Sequence, residues 1–359
     1  MYKYAHGGNA IFEQGKQDIM DLSANINPLG LPKNVAEAII REIPNIVRYP
    51  DNFSTALCEK TAAFEDVDAD WVIFGNGASD IIFRLPRAVG ADKIMVCAPT
   101  FADYERSALS YGAKISRYAL RKDNDFMLDD GFFDVLQDEN PGLVYICNPN
   151  NPTGKLTDRR LIQKLLDYCK RLGTVVAVDE CFMDFAPQAT DFTSKFFLAE
   201  YPNLVILKAF TKMFALPGIR LGYALSSDKD LINRLFLHGT DWAVSNLAQA
   251  AGLASLDGVD EYIRQTVAYV TNERSVMEKE LSSMGYTVFT SAANYIFFLS
   301  PFQINLQLEL DKMGIRIRSC ANYHGLDNTY YRVAISTSKN NTKFLAAVRK
   351  VSPVLVFMG

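Results

Sequence analysis

Five short polar segments, each directly after an apolar run, hold the residue types that do chemistry in this chain. Gly75-Asn76-Gly77-Ala78-Ser79-Asp80 follows WVIF and opens the helical segment IIFRLPRAV, so it offers the free N–H groups of a helix start to a phosphate. Pro99, Thr100, Phe101 and Tyr104 follow KIMVC and place an aromatic face beside any ligand ring. LVYIC runs into NPNNPTG (148–154), where two prolines fix a turn and leave an amide off its edge. Asp179-Glu180 ends the run 174–178, a carboxylate that needs a partner if it is buried. LVIL leads into Lys208-Ala209-Phe210-Thr211-Lys212 and on to Arg220, with Lys212 in apolar surroundings where a lowered pKa lets an amine attack a carbonyl. Taken singly, each has a plainer reading. Ser79 or Asp80 is a helix cap, Phe101 a core ring, Asp179 an exposed loop residue, and Lys212 a lysine that snorkels to water.

The elements that must position these residues are legible in the hydrophobic pattern. Short Val/Ile/Phe-rich runs at 71–74, 94–97, 143–147, 174–178, 204–207 and 221–225 alternate with segments of helical period such as 158–171, the pattern of a parallel sheet covered by helices. After about residue 227 it changes to a long helix (260–284), strands at 286–290 and 294–299, a helix near 303–313, a strand at 331–336 and a last helix from 340. The expected fold is therefore α/β, a mostly parallel sheet sandwiched by helices, with a smaller α+β C-terminal domain. The boundaries read as an N-terminal arm at 1–35, a large domain at 36–235 and a small domain at 236–359. Ligands of such sheets lie beyond the carboxyl ends of the strands, and all five polar segments fall on that edge. An amide, a carboxylate, a lysine, an arginine, an aromatic face and a phosphate-binding turn together describe a pocket for pyridoxal 5'-phosphate.

Composition narrows the remaining classes. Lys plus Arg at 37 against Asp plus Glu at 41 gives a net charge of −4, with no basic block, so no nucleic-acid partner is expected. No apolar run reaches the roughly 18 residues of a membrane helix, and the first ten are too polar for a signal peptide, so no membrane association and a cytoplasmic address are expected. The six cysteines and three histidines are scattered, which points to no metal site and no disulfide framework.

NPNNPTG, VDECF and TKMFALPGIRLGY resemble, in order, three cofactor motifs of fold type I pyridoxal-phosphate enzymes, in the branch holding histidinol-phosphate aminotransferases and threonine-phosphate decarboxylases. The resemblance covers nearly the whole chain. It implies that Lys212 bonds to the cofactor aldehyde, Asp179 faces the ring nitrogen, Asn151 donates to the phenolic oxygen and Phe101 stacks on the ring. Ala78, Ser79, Thr211 and Arg220 would hold the cofactor phosphate, and Tyr49, in RYPD, would reach the phosphate of a neighbouring subunit, which implies a homodimer.

Within the branch, the arm HGGN with DLSANINPLG, the segment IRSCANY with YYRVAI, and WAVSN are similar to the decarboxylases. Phe182 stands where the aminotransferases usually carry tyrosine. The activity implied is α-decarboxylation of O-phospho-L-threonine to an aminopropanol phosphate for cobamide assembly. The alternatives are decarboxylation of phosphoserine and an aminotransferase acting on histidinol phosphate or another amino acid. Arg332 is the implied carboxylate ligand. His6, Asn25, Asn27 and Arg318 are the candidates for the substrate phosphate, with Asn151 also facing the substrate.

Overall fold

The computed structural model describes residues 7–8 and 19–352. Its strands, in chain order, are β1 (Met20–Asp21), β2 (Val72–Asn76), β3 (Lys93–Ala98), β4 (Lys114–Ala119), β5 (Leu143–Cys147), β6 (Val175–Asp179), β7 (Leu204–Ala209), β8 (Leu221–Leu225), β9 (Thr287–Phe289), β10 (Tyr295–Leu299), β11 (Ile315–Arg316), β12 (Arg318–Ser319) and β13 (Tyr330–Ala334). The large sheet has seven strands in the order β2-β8-β7-β6-β5-β3-β4. Its pairs from β4 through β7 are parallel, and only β8 runs against its two neighbours.

Both faces of this sheet are buried, which explains why its central strands read as unbroken apolar runs rather than as alternation. Ile94 and Val96 face one layer of core and Met95 and Cys97 the other. β4 was not expected from the sequence. It is an edge strand, KISRYA, with every second residue or so in water, and such a half-polar segment carries no apolar run to betray it. Helix Arg159–Leu172 begins at Asp158, whose side chain accepts from the Arg160 N–H, and ends at left-handed Gly173.

The smaller unit holds an antiparallel sheet in the order β12-β13-β10-β9, with the long helix Val259–Ser283 packed against it. Helix Asn246–Ser255, expected on the small-domain side of residue 236, instead packs on helix Lys33–Glu42 and β8. Gly252 is the reason it sits so close: a Cβ there would stand 2.6 Å from Leu221 and 2.9 Å from Leu57. The N-terminal segment also crosses between units. β1 pairs in parallel with β11, and Ala334 N donates to Leu22 O, so residues 20–25 are strapped to the small unit directly over the ends of β5 to β7.

Candidate active site

Where these strands end, a cavity of about 730 Å³ opens between the two units. Its wall takes Asp179 from β6, Lys212 from just after β7, Ala78 and Ser79 from the turn after β2, Phe101 from the turn after β3 and Asn151 from the turn after β5. Arg318, Arg332 and Asn25 close the other side.

Asp179 is nearly inaccessible, 5% exposed. Burial pushes its carboxyl above the usual range, while the Cys181 thiol, the Tyr104 hydroxyl (2.7 Å to Oδ2) and the Cys181 N–H (3.0 Å to Oδ1) pull it back toward the anion. The short helix Phe210–Met213 turns Lys212 into the cavity, where its Nζ donates to Ala24 O at 2.8 Å. Burial, then the charges of Arg332 and Arg220, lower the amine to about 8. At neutral pH a useful fraction of it is therefore free of its proton, as bonding to an aldehyde requires.

Helix Ala78–Val89 starts at Gly77, φ +79°, with no side chain capping its first N–H groups. A Cβ on Gly77 would lie 2.5 Å from Arg220 Nη2, so only glycine leaves the guanidinium room to lie across the helix start. Arg220 itself has φ +61°. With Thr211, this forms a cradle of donors and positive charge suited to a phosphate dianion.

The three asparagines of the NPNNPTG turn divide their work. Asn148 and Asn150 knit the turn, through bonds to Thr157 N (2.9 Å), Thr100 Oγ1 (2.8 Å) and Pro99 O (3.0 Å). Asn151 reaches the cavity, and its amide oxygen accepts from Arg332 Nη1, so its NH2 end is the one on offer to an acceptor there.

Arg318 and Arg332 are directly opposed across the antiparallel β12–β13 pair, and both line the cavity. Arg332 is 5% exposed, donates to Ser23 O at 2.7 Å and stands 5.3 Å over the Tyr295 ring. With its amide turned so that oxygen meets donors, Asn25 accepts from Arg332 Nε and Nη1, both at 3.3 Å. Arg318 donates to Asn322 Oδ1 at 2.6 Å and lies over the Tyr323 ring at 5.6 Å.

One residue expected at the substrate is placed elsewhere, one expected to serve a neighbouring subunit lies away from this chain's own cavity, and one falls outside the described residues. Asn27 does not line the cavity: its Nδ2 donates to Met213 O (2.7 Å) and Thr266 Oγ1 (2.9 Å) and its Oδ1 accepts from Leu29 N, so it locks the strap to the site helix instead of touching substrate. A buried amide with all these bonds made is a structural clamp. Tyr49 is 78% exposed and stacked on Trp242, away from its own chain's cavity. His6 lies outside the described residues. Conversely, the sequence reading missed Asp103, which accepts from Ser79 Oγ at 3.1 Å and pairs with Arg106 at 2.7 Å, and it took Tyr104 as an aromatic face without its bond to Asp179. Only the packing of helix Asp103–Tyr111 on the sheet brings those groups in.

The family model "Aminotransferase class I and II" matches residues 17–348, and the chain belongs to that family. It is 36% identical to the threonine-phosphate decarboxylase of Salmonella typhimurium over 98% of this chain and 97% of that one. It is 28% identical to the histidinol-phosphate aminotransferase of Methanococcus aeolicus, covering 93% of this chain and 90% of that protein. Its fold superposes on the histidinol-phosphate aminotransferase of Clostridium acetobutylicum with a TM-score of 0.86 at 30% identity, over 93% and 99% of the two chains. The cofactor is pyridoxal 5'-phosphate, and the residues of the cavity suit it: the glycine-floored cradle would hold a phosphate, Lys212 offers an amine to an aldehyde and Asp179 a carboxylate to a ring nitrogen.

Proposed function

We propose that this chain is a pyridoxal-phosphate-dependent decarboxylase of O-phospho-L-threonine, releasing carbon dioxide and (R)-1-amino-2-propanol O-2-phosphate for cobamide assembly. The observation that carries the choice of substrate is the Arg318–Arg332 pair. Like charges directly opposed across an antiparallel pair repel, so the sheet tolerates them best when anions sit between or beside them. Phosphothreonine brings two anions, a carboxylate for Arg332 and a phosphate for Arg318. Histidinol phosphate brings only its phosphate, so an aminotransferase would engage both guanidinia only through the two carboxylates of its amino donor, glutamate, whereas phosphothreonine supplies both anions in one molecule.

The roles of the side chains follow from their chemistry. Arg332, fixed by Ser23 O and Asn25, orients the carboxylate that is to leave. As an anion, favoured by the donors from Cys181 and Tyr104, Asp179 would hold a proton on the cofactor's ring nitrogen. The cofactor, when bound, supplies the electron sink that takes up the pair left on Cα as carbon dioxide departs. Lys212, with a proton affinity near neutrality, gives Cα the proton that completes the product. Carboxylate carbon leaves as carbon dioxide and one proton replaces it, so no keto acid or reductant is consumed.

The proposal includes a homodimer and a cytoplasmic location. Ile46, Val47, Tyr49, Phe53, Leu237 and Trp242 are large apolar side chains left between 45% and 85% exposed, more than a lone folded chain usually presents in neighbouring segments. The Tyr49–Trp242 stack at 4.3 Å, with Asn52 accepting from Trp242 N, stiffens this face, which supports Tyr49 reaching the cofactor phosphate of a second copy. Six unpaired cysteines suit a reducing compartment.

The test is to incubate the cofactor-loaded protein with O-phospho-L-threonine in the absence of any keto acid, following carbon dioxide and aminopropanol phosphate by mass spectrometry with O-phospho-L-serine alongside. Stoichiometric product supports the decarboxylase and ranks the two substrates. No carbon dioxide, but 2-oxoglutarate from glutamate with conversion of the cofactor to its amine form, makes it an aminotransferase instead.

A further inference from the structure

Tyr104 sits at the base of the cavity wall with no solvent exposure. Its ring is clamped: it stacks on Tyr145 at 4.8 Å and 10°, meets Phe101 edge-on at 5.6 Å, and Tyr145 is itself tied to Ile82 O at 3.0 Å. A phenylalanine would fill this slot equally well. The hydroxyl therefore has to be explained by its partners, which are Asp179 Oδ2 at 2.7 Å and, beside it, the Cys147 thiol.

We propose that Tyr104 is a positioning residue of the cofactor site: its hydroxyl, donated to Asp179, fixes the orientation of that carboxylate and keeps it an anion toward the cofactor's ring nitrogen. The proposal rests on the reading of Asp179 as the cofactor's ring partner.

The surroundings leave the task to few groups. Asp179 is faced by Tyr104 and Asp103 from helix Asp103–Tyr111, by Tyr145 and Cys147 from β5, by Cys181 beyond its own strand and by Tyr295 from β10. None of these carries positive charge, and Asp103 is itself an acid. Three neutral donors, the Cys181 thiol, the Tyr104 hydroxyl and the Cys181 N–H, therefore do what an arginine does for many buried carboxylates. The Cys181 N–H takes Oδ1 and the Tyr104 hydroxyl takes Oδ2, which holds the carboxylate plane in a single orientation.

The experiment measures pyridoxal 5'-phosphate binding to cofactor-free protein across a pH series, by absorbance and protein fluorescence, for the unaltered chain and for Tyr104→Phe, Asp179→Ala and Tyr145→Phe. Tyr104→Phe is expected to weaken binding about tenfold or more, the scale of losing a hydrogen bond to a charged group. Its acid limit moves to higher pH, because without the hydroxyl Asp179 takes up its proton sooner. The melting temperature of the cofactor-free Tyr104→Phe protein stays within a few degrees of the parent, since the ring and its stack remain. Tyr145→Phe, which loses the hydroxyl's bonds to Ile82 O and Ser107 but none to Asp179, leaves binding and its pH limit where they were. The proposal is overturned if Tyr104→Phe binds the cofactor like the parent at every pH while Asp179→Ala does not. If Asp179→Ala also binds normally, the reading of the ring partner is what has failed. If Tyr104→Phe and Tyr145→Phe lose affinity and melting temperature together, the tyrosines serve packing only.

Discussion

Lys208 and Lys212 lie four residues apart, at the end of β7 and one turn beyond, yet the fold treats them in opposite ways. Burial works against the charge of both. Lys208 is met by Asp184 at 3.1 Å and Glu65 at 2.8 Å, with Tyr223 also bonded to Glu65, and its ammonium is held well above the ordinary range. Lys212 is met by a single backbone carbonyl and by the charges of two arginines, and it falls to about 8. A lysine's chemistry here is set by the company it keeps and not by its depth. One of the pair cements the fold, and the other is kept ready to lose its proton.

The largest effect expected from breaking this contrast is Lys212→Ala. Turnover falls at least about a thousandfold and the holoenzyme's visible band disappears, because the aldehyde has no amine to bond and Cα no proton donor. The cofactor-free protein does not melt earlier. Below about pH 8 Lys212 is charged in both folded and unfolded chains and its desolvation opposes folding; between about 8 and the ordinary 10.5 the folded chain sheds the proton first and the opposition fades. Thermal melts of both proteins at pH 7 and pH 9.5 check the sign: the parent gains on the variant as pH rises.

Glu65→Gln attacks the other lysine. It removes the nearest charge from a buried ammonium and is expected to cost about 3 kcal/mol of stability. Denaturant titration measures the loss, while turnover per folded molecule stays within about twofold. That outcome separates the cementing cluster from the site. A comparable loss of turnover would mean that the two lysines are coupled through β7.

Selective labelling sharpens the contrast without mutation. An amine-reactive reagent applied to cofactor-free protein is expected to modify Lys212 with half-maximal rate near pH 8 and to spare Lys208 while the fold persists. Peptide mapping after a pH series reads both sites at once.

The smallest effect is Phe182→Tyr. The Phe182 ring centroid lies 5.9 Å from Lys212 Nζ, and a hydroxyl there adds a donor near the cofactor's phenolic oxygen. That competes with the lysine for the same oxygen, so the visible band of the holoenzyme titrates at lower pH than in the parent. An unchanged spectrophotometric titration would remove any electronic role for the missing hydroxyl.

By itself the sequence determined the order of strands and the residues that terminate them. An apolar run of four followed by Asp179, or by the turn that carries Lys212, is local information, written in adjacent residues. The edge strand β4 escaped because its half-polar face is a consequence of being last in the sheet. Only the tertiary structure decided which polar groups meet. Asn25 and Asn27 look alike in sequence, yet Asn25 lines the cavity and Asn27 is absorbed by Met213 and Thr266. Arg318 and Arg332 become neighbours only when β12 pairs with β13 in one register, and Tyr104 reaches Asp179 only when its helix docks on the sheet. Element type follows from short-range periodicity, whereas a side chain's partner, and with it its proton affinity, is fixed by packing between segments far apart in the chain.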